Sequence, residues 1–121
     1  MEPIALEEYQ RMSGHVMMDC VIFSDKFPFL MASMDGMSFD QKYAVEIKCP
    51  GQEDVSKAIQ GIVPEKYFPQ LQHQMLVAKL ECIDYFSYSE KSKTIIQVKR
   101  DDDYIKKMLE AEENFYECMT T

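Results

Sequence analysis

The 121-residue sequence predicts one α/β domain, a mixed central β-sheet of about five strands flanked by helices. Three observations lead there. Runs at 16–23, 43–49, 82–89 and 94–99 have the length and composition of strands. Longer stretches at 2–13, 64–79 and 102–118 read as helices, with apolar residues at helical spacing. The elements follow as helix, three strands, helix, two strands and helix, without internal repeats, low-complexity tracts or linkers.

The first helix runs from Glu2 to Ser13. Pro3 is tolerated in its first turn, Ile4, Leu6, Tyr9 and Met12 supply apolar positions, and Gly14 is a stop signal. Val16 to Phe23 is the first strand, and Lys26-Phe27-Pro28-Phe29 is a turn because proline interrupts a ladder. Leu30 to Ser33 is the second strand, delivering Asp35 at its end, with Gly36 allowing a sharp bend. Tyr43 to Cys49 is the third, closed by Pro50-Gly51. Val55 to Gln60 forms a short helix or turn, and Pro64 opens a helix to about Lys79. Pro69 falls in the first turns of that helix, where its missing donor costs least. Tyr67, Gln70 and Gln74 recur at spacings of three and four and share one helix face. Cys82–Ser89 and Thr94–Lys99 are strands joined by a turn at Glu90-Lys91-Ser92. Asp101 caps a last helix, Asp102 to Cys118, with Tyr104, Ile105, Met108, Leu109 and Phe115 on its apolar side.

Composition narrows the function. No apolar run approaches the roughly 18–20 residues of a membrane span, and no signal-peptide pattern opens the chain. A soluble, cytoplasmic protein is expected. The four cysteines, Cys20, Cys49, Cys82 and Cys118, lack C-x-x-C spacing and read as reduced thiols. The ten methionines read as core filler. A net charge of −8 opposes indiscriminate nucleic-acid binding, which needs clustered Lys and Arg, and counts against a nuclease without excluding a metal nuclease, whose own site must be acidic.

The chemistry gathers at Asp35 and at Glu46-Ile47-Lys48. Side chains alternate along a strand, so Glu46 and Lys48 share one face while Val45, Ile47 and Cys49 take the other. With Asp35 on a neighbouring strand, two carboxylates and an ammonium converge. Hard oxygen ligands suit Mg²⁺ or Mn²⁺, and a lysine beside them can hold or activate a water. Phosphodiester hydrolysis is the reaction this suggests. Simpler readings stand beside it: Asp35-Gly36 as a turn, Glu46 and Lys48 as a solvated face, and Tyr67 and His73 as packing residues.

The Asp…Glu-x-Lys pattern resembles the PD-(D/E)XK nuclease superfamily. Ser33-Met34-Asp35-Gly36-Met37 resembles the S-P-D-G-L turn of lambda-exonuclease and YqaJ-type viral recombinases. Val45 to Pro50 resembles their L-E-x-K-C-P strand, and Tyr67 to Met75 their Y-x-x-Q-x-Q-x-x-M helix. Glu2 to Gly14 is similar to the E-x-x-A-x-x-x-Y…G helix ahead of them. The resemblance covers most of the chain and implies a restriction-endonuclease-like core. It implies Mg²⁺-dependent 5′→3′ exonuclease action on double-stranded DNA, with Mn²⁺ as a substitute. It also implies a role in phage recombination beside a single-strand annealing protein, homotrimeric rings, and a phage-encoded or bacterial origin. Carried over by position, Asp35, Glu46, the Ile47 backbone carbonyl and, as a further acid, Glu2 hold the metal. Lys48 orients or activates the water, Gln70 supports the site, and Tyr67 and Arg11 face the DNA.

Two departures shape the expectation. Met34 replaces the family's proline, a change that affects only turn geometry. The family also carries a helical segment ahead of the position of Glu2, with an arginine for the 5′-phosphate, and the sequence starts at Met1 without it. A compact single domain over 1–121 is therefore expected. Two alternatives remain: a nicking or endonucleolytic DNase, and an inactive remnant serving as a binding module.

Overall fold

Five strands form one sheet in the order β1-β2-β3-β4-β5: β1 Met18–Phe23, β2 Met31–Met37, β3 Ala44–Lys48, β4 Cys82–Tyr88 and β5 Lys93–Lys99. Every neighbouring pair is antiparallel except β3 and β4, which run parallel. A parallel pair needs a crossover. Here it contains α2 (Gln52–Ile59), a 3₁₀ turn (Glu65–Tyr67) and α3 (Phe68–Ala78). Helix α1 (Glu2–Ser13) precedes the sheet and α4 (Asp102–Thr120) follows it. This computed structural model describes residues 2–24, 30–49, 52–90 and 92–120, with the side chains at 2, 3, 52, 53 and 112–120 outside the description.

Both sheet faces are covered, which is why β3 is buried along nearly its whole length. Under α3 lie Ala32, Met34, Met37, Ala44, Ile83 and Tyr85, packed with Leu71, Met75 and Val77. On the opposite face Ala5 and Tyr9 of α1 pack with Met17, Val45, Ile47 and Phe86. Two buried polar ties fix the helices. The Tyr9 hydroxyl donates to Asp84 Oδ2 at 2.7 Å, joining α1 to β4. Gln72, fully buried, donates to the Lys99 carbonyl at 3.1 Å and accepts from the Asp101 amide at 2.8 Å. It thereby clamps the β5–α4 junction to α3.

The expected α/β architecture with a five-stranded mixed sheet is present, and the differences are local. Strand β2 runs through Asp35 and Gly36 to Met37 instead of bending there. Gly36 does not take a positive φ. Its need is space, since a Cβ would lie 2.8 Å from Val45 Cγ1, 3.0 Å from Leu6 Cδ1 and 3.1 Å from the Met17 Cβ. The helix expected from Pro64 is split into the 3₁₀ turn and α3, because Pro69 has no amide to donate back to Glu65. Helix α2 begins at Gln52, three residues earlier than expected. Methionines do not all fill the core: Met17, Met34, Met37 and Met75 are buried, while Met12, Met18 and Met31 are exposed. The expected turn at 26–29 and the Pro50-Gly51 stop lie outside the described residues, and so does the side chain of Phe115.

Candidate active site

A bulge in β2 aims Asp35. Met18 pairs with Met37 and Cys20 with Met34, so Asp19 alone faces two residues, Asp35 and Gly36. An extra residue reverses the alternation of faces beyond it. The reversal shows in the packing, because Met34 and Met37, three residues apart, both enter the cluster under α3. Asp35 sits at this irregularity and lines the gap together with Ser33, its carboxylate reaching β3.

Strands β2 and β3 pair only at Gly36–Val45 and Met37–Ala44, then splay. In the gap, Asp35 Oδ2 accepts the Ile47 amide at 2.8 Å. A strand residue's N–H and C=O point to the same neighbour, so the Ile47 carbonyl also faces this gap, with no ladder partner from β2. On the α3 face of β3, Glu46 is only 3% exposed. Its Oε2 accepts from Gln70 Nε2 at 2.6 Å and from Gln74 Nε2 at 3.2 Å, and Gln74 also donates to the Ser33 carbonyl at 3.0 Å. Asp35 Oδ2 and Glu46 Oε2 are thus held by protein donors, and the two carboxylates lie within hydrogen-bonding reach of each other.

Burial, and then the Asp35 carboxylate beside it, push the Glu46 pKa up to about 8, against the opposing pull of Lys48 and Gln74. Two acids are crowded here in a way that a bound cation would relieve. The donor set fits a hard divalent ion: two carboxylates and a backbone carbonyl at one gap. Among the described residues no three His, Cys, Asp or Glu side chains cluster tightly enough to hold a metal. The side chain of Glu2, the further acid expected there, lies outside the described residues.

The gap opens into a cavity of about 460 Å³ lined by Ser33, Asp35, Glu46, Ile47, Lys48, Cys49 and Gln70. A second cavity, of about 500 Å³, shares Ser33, Asp35 and Ile47 with it and is walled by Leu6, Asp19, Cys20, Val21 and Met34. Lys48 ends β3 with its ammonium 4.8 Å from the centre of the Tyr67 ring. Asp35, Glu46, Ile47, Lys48 and Gln70 are therefore brought together as the sequence reading expects. Arg11 stands apart, held by Glu8, which also meets Lys93 of β5 at 3.5 Å. His73 Nε2 lies 2.8 Å from the Met31 carbonyl, a hydrogen bond that ties α3 to β2.

The YqaJ-like viral recombinase domain model matches residues 1–81. The chain belongs to that family. The matched span contains every YqaJ motif residue named above, from Glu2 to Met75. Two solved structures share the fold. One is an alkaline exonuclease (LHK-Exo) from Laribacter hongkongensis, with TM-score 0.77 and 24% identity over 98% of this chain and 70% of that one. The other is LHK-Exo in complex with dAMP, with TM-score 0.74 and 24% identity over 98% and 69%. No curated protein matches. The likeness of fold continues past residue 81, through β4, β5 and α4. The lambda-exonuclease/YqaJ resemblance read from the four motifs is borne out.

One member of this YqaJ site lacked a role in the sequence reading. Gln74 is 2% exposed and binds Glu46 as Gln70 does. Its shared face with Tyr67 and Gln70 was the available signal. Among the described residues its Oε1 and the hydroxyl of Tyr85, the β4 partner of Glu46, are buried without a hydrogen-bond partner.

Proposed function

We propose that this chain is a divalent-metal-dependent deoxyribonuclease that hydrolyses phosphodiester bonds of double-stranded DNA, acting as a 5′→3′ exonuclease in DNA recombination. The observation that carries the reading is the convergence of Asp35, buried Glu46 and the Ile47 carbonyl in a solvent-open gap beside Lys48. A solvated strand face would have no need to bury Glu46 under two glutamine donors. Family membership and the fold shared with an exonuclease support it.

Asp35, Glu46 and the Ile47 carbonyl would hold Mg²⁺, with Mn²⁺ as a substitute and Glu2 as a further ligand. Bound there, the ion would supply a lowered pKa for water and neutralisation of phosphate charge. The remaining work falls to the chain. Gln70 and Gln74 fix the Glu46 carboxylate by its Oε2 at the lining of the gap. The Ile47 amide fixes Asp35 in the same way. Lys48 orients the attacking water and stabilises negative charge developing on the phosphate. Tyr67 stands beside Lys48, its ring 4.8 Å from the ammonium. Arg11, whose side chain is 70% exposed, is proposed only as a DNA-backbone contact outside the cleft. A homotrimer, a single-strand annealing partner and a cytoplasmic location belong to the same proposal. Among the described residues no helix is long and apolar enough to cross a membrane.

The test incubates the protein and Lys48→Ala with 5′-phosphorylated linear and closed circular duplex, with Mg²⁺ or EDTA. Metal- and Lys48-dependent loss of linear DNA alone is the expected result. Cutting of the circle would replace exonuclease by endonuclease action. No cleavage with Mg²⁺ or Mn²⁺ would refute the enzyme reading and favour a binding module.

A further inference from the structure

Lys48 has to hold its ammonium over the gap although it ends a strand and carries a flexible four-carbon stem. The structure surrounds it with a specific set of neighbours. Tyr67, the last residue of the 3₁₀ turn, lies with its ring centre 4.8 Å from Lys48 Nζ. The back of this arrangement is rigid. The Tyr67 ring rests against that of Tyr85 at 5.9 Å, and Tyr85 is fully buried and pairs with Glu46 across the β3–β4 ladder. A second ammonium, Lys66 Nζ, lies 5.1 Å from the same ring centre. Two cations on one ring repel each other unless one is neutralised. Asp54 of α2, 8% exposed, does this through an ion pair with Lys66 at 2.9 Å.

We infer that Tyr67, backed by Tyr85 and by the Asp54–Lys66 pair, is a positioning residue for Lys48. It holds the ammonium over the gap through its ring face. A cation over an aromatic face is attracted by the ring quadrupole, more strongly as water is excluded, and Lys48 is half-buried. The ring face, rather than the phenolic hydroxyl, carries the effect. Phenylalanine serves nearly as well, and leucine of similar bulk does not. The Asp54–Lys66 pair matters because freeing Lys66 puts a competing charge on the same ring.

The inference rests on the proposed nuclease activity only for its kinetic arm. Lysine Cε–Hε resonances of the metal-free protein, assigned by comparison with Lys48→Arg, read the contact directly through the ring current of Tyr67. Lys48 is expected upfield in the parent and in Tyr67→Phe, and at the ordinary lysine position in Tyr67→Leu. Asp54→Asn moves it part of the way. In cleavage of 5′-phosphorylated linear duplex with Mg²⁺, Tyr67→Leu lowers kcat roughly tenfold with KM unchanged. Tyr67→Phe recovers most of that loss. Lys48 resonances that coincide in the parent and Tyr67→Leu overturn the inference, as does a raised KM at constant kcat, which would make Tyr67 a DNA contact. If the parent cuts no DNA, the nuclease reading fails and the resonances alone decide the pairing.

Discussion

Replacing Glu46 by glutamine is expected to make the metal-free protein more stable at pH 8.5 and to leave it nearly unchanged at pH 4.5. Glu46 is buried beside Asp35, and its folded-state pKa is pushed from 4.5 up to about 8. Between those values the folded chain holds a proton that the unfolded chain has released. Stability therefore falls as pH rises through this window. The gap of about 3.5 pH units, at about 1.4 kcal/mol each, sets a ceiling near 5 kcal/mol. Asp35 shares the repulsion and the gap opens to solvent at Gln70, so about 2 kcal/mol is the working figure. Glutamine keeps an oxygen for Gln70 and Gln74 but has no charge to bury. Urea unfolding of parent and Glu46→Gln at half-unit pH intervals from 4.5 to 8.5, in EDTA, measures the difference directly. Parallel stability curves for the two proteins across that range would refute the reasoning. Mg²⁺ must displace the same proton, so its apparent affinity for the parent rises with pH and levels off near 8.

Three further outcomes follow from the same geometry. Lys48→Ala loses cleavage while its melting temperature and calorimetric Mg²⁺ affinity stay close to the parent's; cleavage at the parent rate would remove the role given to Lys48. Asp35→Asn keeps an acceptor for the Ile47 amide but loses an anionic ligand, so Mg²⁺ binding weakens by calorimetry while the fold is retained. Gly36→Ala drives a methyl to within 2.8 Å of Val45 Cγ1 and destabilises the protein by about 1–3 kcal/mol in urea, with β2 and β3 forced apart beside the site.

How much of this was legible beforehand depends on the range of the interactions. The Glu-x-Lys alternation, the strand carrying it and the three-four spacing of Tyr67, Gln70 and Gln74 are local periodicities. Backbone geometry reads them out wherever the chain is placed. The order of helices and strands followed for the same reason, and with the four motifs it determined the family. Boundaries shifted where local rules compete, as at Pro69, whose missing amide splits one expected helix into two pieces.

Tertiary structure alone decided the rest, because each remaining feature needs a partner distant in sequence. Asp35 meets the Ile47 amide across the β2–β3 gap, at a bulge that exists only because β1 places Asp19 opposite two residues. Glu46 is deeply buried because α3 lies over it, and the same two residues on an open strand would be a solvated pair. Gln74 gains its role from reaching Glu46 and Ser33 at once. Tyr67 meets Lys48 because a parallel β3–β4 pair obliges the chain to cross the sheet between them. The sequence by itself determined which groups could do the chemistry; the fold decided their distances, and with them the burial that raises Glu46 to about 8.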